Sequence, residues 1–340
     1  MRVLIPDSHS GEDPNVERNI LGPDFEVDFF TLDQSASVPE SAWSNADAII
    51  GYRGIRVTAE SLKKLERARI IVRAGVGFDT IDVEACGARG IPVCNVPNYG
   101  TGEVADQAIA LMMALTRGVV AYNEALKKDL SAGWNWTVGA PTMRRLRGSV
   151  FGVVGIGRIG TAAGMRAKGF GMEVVFYDPY VPSGQDIALG FKRVQSLTEV
   201  MAAADVLSIH TPLTAETRGM IDAAAIGAMK PDAILINTSR GPVLDLDALY
   251  EALRGGRLAA AGLDVLPIEP PNPDHPLLQA WREDADWIKG RFVLNPHAAF
   301  YSKGALRDMR TFAAETVRNY LIDGKLRDCV NLQYLRRNAP

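Results

Sequence analysis

The sequence predicts an α/β protein of two doubly wound parallel-sheet domains with a cleft between them. Short apolar strands alternate with helix-compatible segments along nearly the whole chain, the pattern of parallel sheets covered by helices. One βαβ unit, Ser149 to Asp178, carries a glycine-rich turn of the dinucleotide-binding type. A length of 340 residues exceeds one ordinary domain.

The first region reads as a small parallel sheet. Arg2 to Pro6, Phe25 to Phe30, Ala48 to Gly51 and Ile70 to Arg73 are brief strands. Thr58 to Ala68 reads as a helix, from its Thr58-x-x-Ser61 start and Leu62/Leu65 spacing. Arg73-Ala-Gly-Val-Gly77-Phe-Asp79 closes the fourth strand with a glycine-rich turn, and Pro92 to Pro97 is a further strand. From Glu103 to about Leu130 the spacing of Val104, Ala108, Leu111, Met112 and Leu115 predicts one long helix, with Met112 and Met113 as packing residues. The polar connection Ser131 to Arg147 contains Trp134 and Trp136, residue types enriched at interfaces, and reads as a subunit contact.

Ser149 to Asp178 organises the rest. Val150 to Val154 is the apolar run of a strand covered on both faces, and Gly155-Ile-Gly157-Arg158-Ile159-Gly160 follows at once. Gly155 permits the tight turn, Gly157 lets the backbone approach a pyrophosphate, and Gly160 lets the helix, read over Thr161 to Gly169, pack close on the strand. The second strand, Glu173 to Tyr177, ends in Asp178, placed to accept hydrogen bonds from the adenosine ribose. A carboxylate there repels a 2′-phosphate, so the expected cofactor is NAD. Val206 to His210, Ala233 to Asn237, Ala260 to Leu263 and Phe292 to Asn295 are the later strands. A helix over Lys303 to Tyr320, returning to the first domain, would make that domain discontinuous: 1–100 with 299–340, around a dinucleotide domain of 101–298.

Composition excludes several function classes. A formal charge of −3 gives no electrostatic case for nucleic acid or an anionic membrane. No run of 18 apolar residues occurs, and MRVLIPDSHS turns polar too soon for a signal peptide. A soluble, cytoplasmic protein acting on a small molecule is expected. Cys86, Cys94 and Cys329 lack metal spacing and read as ordinary reduced thiols; no His/Cys/Asp cluster suggests a metal.

Three later segments each put a polar group at the C-terminal end of a strand, the edge where open α/β sheets bind ligands. They are Asn237-Thr238-Ser239-Arg240, Leu263-Asp264 through Glu269, and Asn295-Pro-His297-Ala-Ala299-Phe300. Arg240 can clamp a carboxylate or carbonyl oxygen with its rigid fork of donors. His297 has a pKa suited to giving or taking a proton near neutral pH. Glu269, by bonding His297, would orient its ring. Taken singly, Arg240 reads rather as a surface ion-pair partner, Glu269 as a loop carboxylate and His297 as a satisfied buried histidine; together at strand ends they read as a catalytic set. His9 and His275 sit in polar loops, Asp245 and Asp247 read as turn and helix-start residues, and His210 lines the cofactor pocket through its backbone.

With these residues in view the chain resembles the D-isomer specific 2-hydroxyacid dehydrogenase family over nearly its whole length. RAGVGFDTID, GVVGIGRIG, HTPL, NTSRG, LDVLPIEP and PHAA occur in family order. CNVP, RAKGFGMEVVFYDPY, HAAFYS and CVN are similar to the C-terminal binding protein branch. The resemblance implies a flavodoxin-like substrate domain beside a Rossmann NAD domain, in a homodimer. It implies Arg240, Glu269 and His297 as the catalytic trio. Cofactor contacts are implied for Thr101, Arg158, Ile159, Asp178, His210, Thr211, Pro212, Thr238, Ser239, Arg240, Asp264, His297 and Ala299 beside the three fingerprint glycines. Arg73, Val76, Gly77, Arg240, His297 and Phe300 are implied to face substrate, although Phe300 stands where the branch commonly has tryptophan. Arg53 falls in a loop that usually faces substrate; a second carboxylate or phosphate site and a solvent-facing arginine are both open. The expected activity is NAD-dependent interconversion of a 2-oxo acid and a D-2-hydroxy acid. An NAD(H)-sensing scaffold that binds peptides, or a specialised substrate such as phosphite, is the alternative.

Overall fold

The computed structural model describes residues 1–8, 13–52, 54–138 and 142–335. It divides into two units, Met1–Gly100 with Tyr301–Pro340, and Thr101–Phe300.

The first unit holds β1 (Arg2–Ser8), β2 (Glu26–Thr31), β3 (Ala48–Gly51), β4 (Ile70–Arg73) and β5 (Val93–Asn95). The order is β2-β1-β3-β4-β5, with every pairing parallel. Side chains alternate across each strand. Val3, Ile5, Ala48, Ile50, Ile70 and Val72 therefore pack on one face, against Met309, Ala313 and Val317 of the helix Lys303–Asp323. Leu4, Ile49, Ile71 and Val93 pack on the other, with Ala42, Leu62, Leu65 and Cys86. Each fully buried valine, leucine, isoleucine or methionine among them contributes about 1.5–3 kcal/mol. Ser302 caps the Lys303–Asp323 helix by accepting from the Ala305 N–H at 2.9 Å, and Gly324, at φ 67°, ends it.

Arg310 pins that helix from inside. Its Nε donates to Glu17 Oε1 at 2.7 Å and its Nη2 to Oε2 at 2.6 Å; the two side chains are 3% and 0% exposed. The Tyr52 hydroxyl donates to the same carboxylate at 2.8 Å.

Two elements differ from the sequence reading. The helix expected over Thr58 to Ala68 is a 3-10 turn, Ser61–Lys64. Thr58 and Ser61 bond each other's backbone N–H groups at 2.8 and 3.2 Å, closing the chain into a turn. Arg89 then takes the Leu62 and Leu65 carbonyls, which a longer helix would need. The long helix expected from Glu103 is two, Thr101–Thr116 and Val119–Lys128, bent by 56° at Gly118 with φ 63°. The first carries the buried stripe, whereas the second buries no residue completely and has no packing reason to stay collinear. Among the described residues no single helix is long and apolar enough to cross a membrane.

The second unit holds β6 (Val150–Val154), β7 (Glu173–Tyr177), β8 (Lys192–Arg193), β9 (Val206–Ile209), β10 (Ile234–Asn237), β11 (Ala260–Leu263) and β12 (Phe292–Leu294). All are parallel, in the order β12-β11-β10-β9-β6-β7-β8. The strand order reverses at β6, so the crevice at the C-terminal ends of β6 and β9 is the expected ligand position. One face packs on Ala105, Ala108 and Met112, and the other on Val200, Leu249 and Leu253. The edge strand β8, two polar residues long, has no apolar signature to read in sequence.

Candidate active site

The fingerprint turn follows β6, and its helix starts at Arg158, three residues before the expected Thr161. Gly155 has φ 89°, which a side chain would strain, and a Cβ on Gly160 would fall on the Gly155 carbonyl oxygen. A Cβ on Gly157 would meet nothing within 4 Å, so open space faces the helix N-terminus. Gly157 and Arg158 are exposed and Ile159 is half-buried. Asp178 ends β7; its carboxylate accepts from the Ile156 and Tyr180 N–H groups, each at 2.9 Å, which fixes it beside the turn.

Buried polar atoms without partners mark the same edge. The hydroxyls of Thr101, Thr211 and Thr238, Asn295 Oδ1 and His210 Nδ1 have no hydrogen-bond partner. An orphaned buried polar atom costs about 1–3 kcal/mol; apart from Arg144 Nε these five are all that the described residues of the second unit hold, and they fit a group that brings donors and acceptors with it. With the open cradle at Gly157, they fit a dinucleotide. His210 Nε2 lies 2.8 Å from Ser208 Oγ, and burial pushes the ring down to about 4, so it stays neutral and is no acid–base candidate. Pro212, two residues on, is exposed.

The trio sits at the C-terminal ends of three adjacent strands. After β10, the Asn237 side chain accepts from Ser239 N–H at 3.0 Å and Ser239 Oγ–H at 2.8 Å and donates to the Arg240 carbonyl at 3.1 Å. That buried amide shapes the turn that presents Arg240, whose guanidinium donates to the Ser239 carbonyl at 2.8 Å. Gly241 lies so close to Leu266 and Pro267 that a Cβ would overlap their backbone, which joins the Arg240 turn to the Glu269 loop.

Glu269 Oε1 accepts from Leu266 N–H at 3.0 Å, and Oε2 lies 2.7 Å from His297 Nδ1. A carboxylate only accepts, so Nδ1 carries the proton and Nε2 is the nitrogen left to exchange one. His297 has φ 55°, the left-handed region. Asp264 holds it there: its carbonyl accepts from His297 N–H at 2.7 Å and its carboxylate from Ala298 and Ala299 N–H at 2.9 and 3.0 Å. Burial raises the Asp264 carboxyl above its ordinary value while those amides, Ala299 first, pull it back. Asp264, implied as a cofactor residue, thus has both carboxylate oxygens engaged by the chain. Ala299 is buried and Phe300 half-buried.

In the first unit, Arg73 ends β4 and its guanidinium donates to the Ala74 carbonyl. The Asn95 amide donates to the Val76 carbonyl at 2.7 Å, and Val96 N–H to the Gly75 carbonyl at 3.0 Å, which fixes the turn through Gly77. Asp7, 1% exposed, accepts from the N–H groups of Tyr52, Gly54 and Ile55 at 2.8, 2.6 and 3.0 Å. Burial raises its carboxyl, which those amides oppose. Arg53 itself lies outside the described residues, as does His9. Sequence reasoning missed Asp7, Asn95 and the structural role of Asn237, although each stands at the C-terminal end of a strand, the position that singled out the trio. His275 and Asp245 cap helices, accepting from Leu277 and Ala248 N–H. A cavity of about 390 Å³ beside Leu266–Ile268 includes His275 and Asp247 in its lining but none of the trio.

Residues 109–299 match the model of the D-isomer specific 2-hydroxyacid dehydrogenase, NAD binding domain. The chain is 33% identical, over 97% of its length and 45% of the relative's, to C-terminal-binding protein 1 of Caenorhabditis elegans. It is 36% identical to the D-3-phosphoglycerate dehydrogenase of Methanocaldococcus jannaschii, over 85% of this chain and 52% of that one. The chain spans about half the length of these curated relatives. Among solved structures, the D-lactate dehydrogenase of Aquifex aeolicus, complexed with NAD and lactic acid, superimposes with a TM-score of 0.79 at 28% identity, covering 100% of both chains.

Proposed function

This chain belongs to the D-isomer specific 2-hydroxyacid dehydrogenase family, and from that premise we propose that it interconverts a 2-oxo acid and a D-2-hydroxy acid with NAD. The observation that carries the reading is the 2.7 Å His297–Glu269 pair on the sheet edge that also presents Arg240. When bound, NADH supplies the hydride to the carbonyl carbon. The fork of Arg240 polarises the carbonyl oxygen and holds the carboxylate. His297 Nε2 delivers the proton to that oxygen in reduction and removes it in oxidation, and Glu269 keeps the ring turned for the task. We assign Arg73 and the Val76 and Gly77 amides to the substrate carboxylate, as the family resemblance implies. The protein is read as a cytoplasmic homodimer, with Trp134 and Trp136, 82% and 83% exposed, in the subunit contact. Light scattering that returns a monomer mass at micromolar concentration overturns the dimer.

The reading is tested by NADH oxidation against glyoxylate, pyruvate, hydroxypyruvate, phenylpyruvate and a dicarboxylate, with His297→Asn as the control. Turnover that the variant loses supports it. If NADH binds and none of these acids turns over, the dehydrogenase reading on ordinary 2-oxo acids fails.

Two further results are expected. Asp178→Ser removes the charge that repels a 2′-phosphate, so the preference for NADH over NADPH, read as a ratio of kcat/KM, falls by roughly tenfold, about 1.4 kcal/mol. An unchanged ratio would remove Asp178 from cofactor selection. Gly157→Val fills the open space at the helix N-terminus, so NADH affinity by titration calorimetry drops by roughly tenfold or more while the thermal midpoint holds. Unchanged affinity would move the pyrophosphate elsewhere.

A further inference from the structure

Cys94 and Cys329 are not independent thiols. They face each other in an isolated antiparallel bridge between β5 and the segment after the Lys303–Asp323 helix. Val330 N–H donates to the Val93 carbonyl at 2.8 Å, and Asn95 N–H to the Asp328 carbonyl at 3.1 Å. The backbone bonds thus flank the pair, making it a non-hydrogen-bonded cross-strand pair, whose Cα atoms lie about 4.5 Å apart. That spacing lies within the roughly 4.4–6.8 Å at which two cysteines can be bridged without moving the backbone. Both sides are anchored. The buried Asn331 side chain accepts from Val93 N–H at 2.8 Å and donates to the Ile91 and Val83 carbonyls at 3.0 and 3.2 Å.

We propose that Cys94 and Cys329 form a reversible disulfide on exposure to a peroxide, a covalent modification site joining β5 to the C-terminal segment. The roles of the two sulfurs differ. Cys94 is buried, whereas Cys329 is half-buried and open to a small oxidant. The Cys94 thiol facing it pulls the Cys329 thiol below its ordinary value, burial opposes that, and the Cys329 thiol also donates to Asn331 Oδ1 at 3.3 Å. Cys329 thiolate attacks one peroxide oxygen; the O–O bond breaks, hydroxide leaves and becomes water, and a sulfenic acid remains. The Cys94 sulfur then attacks the Cys329 sulfur, the S–O bond breaks, and the Cys94 proton leaves with the hydroxide as a second water. Two thiols lose two electrons and the peroxide gains them. Cys94 needs no access to solvent, since its partner is already opposite. Cys86 packs in the cluster on the other face of the sheet from Cys94 and takes no part.

The test is hydrogen peroxide treatment of the folded 340-residue chain, then denaturation, alkylation and peptide mapping by mass spectrometry. Expected is loss of two of the three alkylatable thiols, a peptide linking Cys94 to Cys329 with two hydrogens missing, and full recovery with dithiothreitol. Cys86→Ser should give the same linked peptide and Cys329→Ser should give none. A sulfenic or sulfinic adduct on Cys329 with Cys94 still alkylatable would overturn the proposal. So would a bond between two chains, or three alkylatable thiols after excess peroxide.

Discussion

Replacing His297 with asparagine is expected to lower kcat/KM on the best 2-oxo acid by about 10²–10⁴-fold, the worth of a positioned general acid. Asparagine is the informative choice because residue 297 sits at φ 55°, a region asparagine adopts readily. Alanine there would add about 1–2 kcal/mol of backbone strain and confuse lost chemistry with a loosened turn. Asp264 goes on holding the backbone through the 297, 298 and 299 N–H groups, so circular dichroism and the thermal midpoint should stay close to wild type. Glu269→Gln should cost less, because an amide can still meet Nδ1 but presents either a donor or an acceptor and fixes the tautomer less firmly. Steady-state rates of the two variants decide the matter. Retention of more than a tenth of wild-type kcat/KM by His297→Asn would move the proton-transfer role elsewhere.

Arg310→Met is the stability counterpart. Glu17 is wholly buried and Arg310 supplies two hydrogen bonds to it, so removing the guanidinium leaves a buried carboxylate without its countercharge. Loss of one partner of such a pair costs about 3–5 kcal/mol. Urea unfolding should show the whole of that loss in the single variant. The double variant Glu17→Gln with Arg310→Met should recover much of it, because no charge then remains buried. A single-variant loss under about 1 kcal/mol would mean that water reaches Glu17 once Arg310 is gone.

How far the sequence is legible follows the range of each interaction. Val150–Val154, Glu173–Tyr177, Ala48–Gly51 and Ala260–Leu263 read correctly to the residue because strands buried on both faces announce themselves as apolar runs. The placement of Arg240, Glu269 and His297 after neighbouring strands was legible because each follows an apolar run directly or within one loop. Three kinds of feature were not. The bend at Gly118 depends on where burial stops rather than on composition, since helical spacing allows the stretch to run on. The shortening of the Thr58 helix depends on Arg89 reaching back to two carbonyls. The Glu17–Arg310 pair joins residues 293 apart, and no local pattern in either segment signals the other.

The interrupted first unit has a consequence for the order in which the protein is made. Its sheet emerges from the ribosome first, yet the helix that covers one face of that sheet lies beyond residue 300. At about 5–20 residues per second, the intervening segment takes on the order of 10–40 s to synthesise. For that interval Val3, Ile5, Ile50 and Val72 lack their covering helix and Glu17 lacks its countercharge. The continuous second unit, meanwhile, already has every strand of its own sheet. The nascent chain thus completes its nucleotide-binding half first, and the half begun earliest closes last.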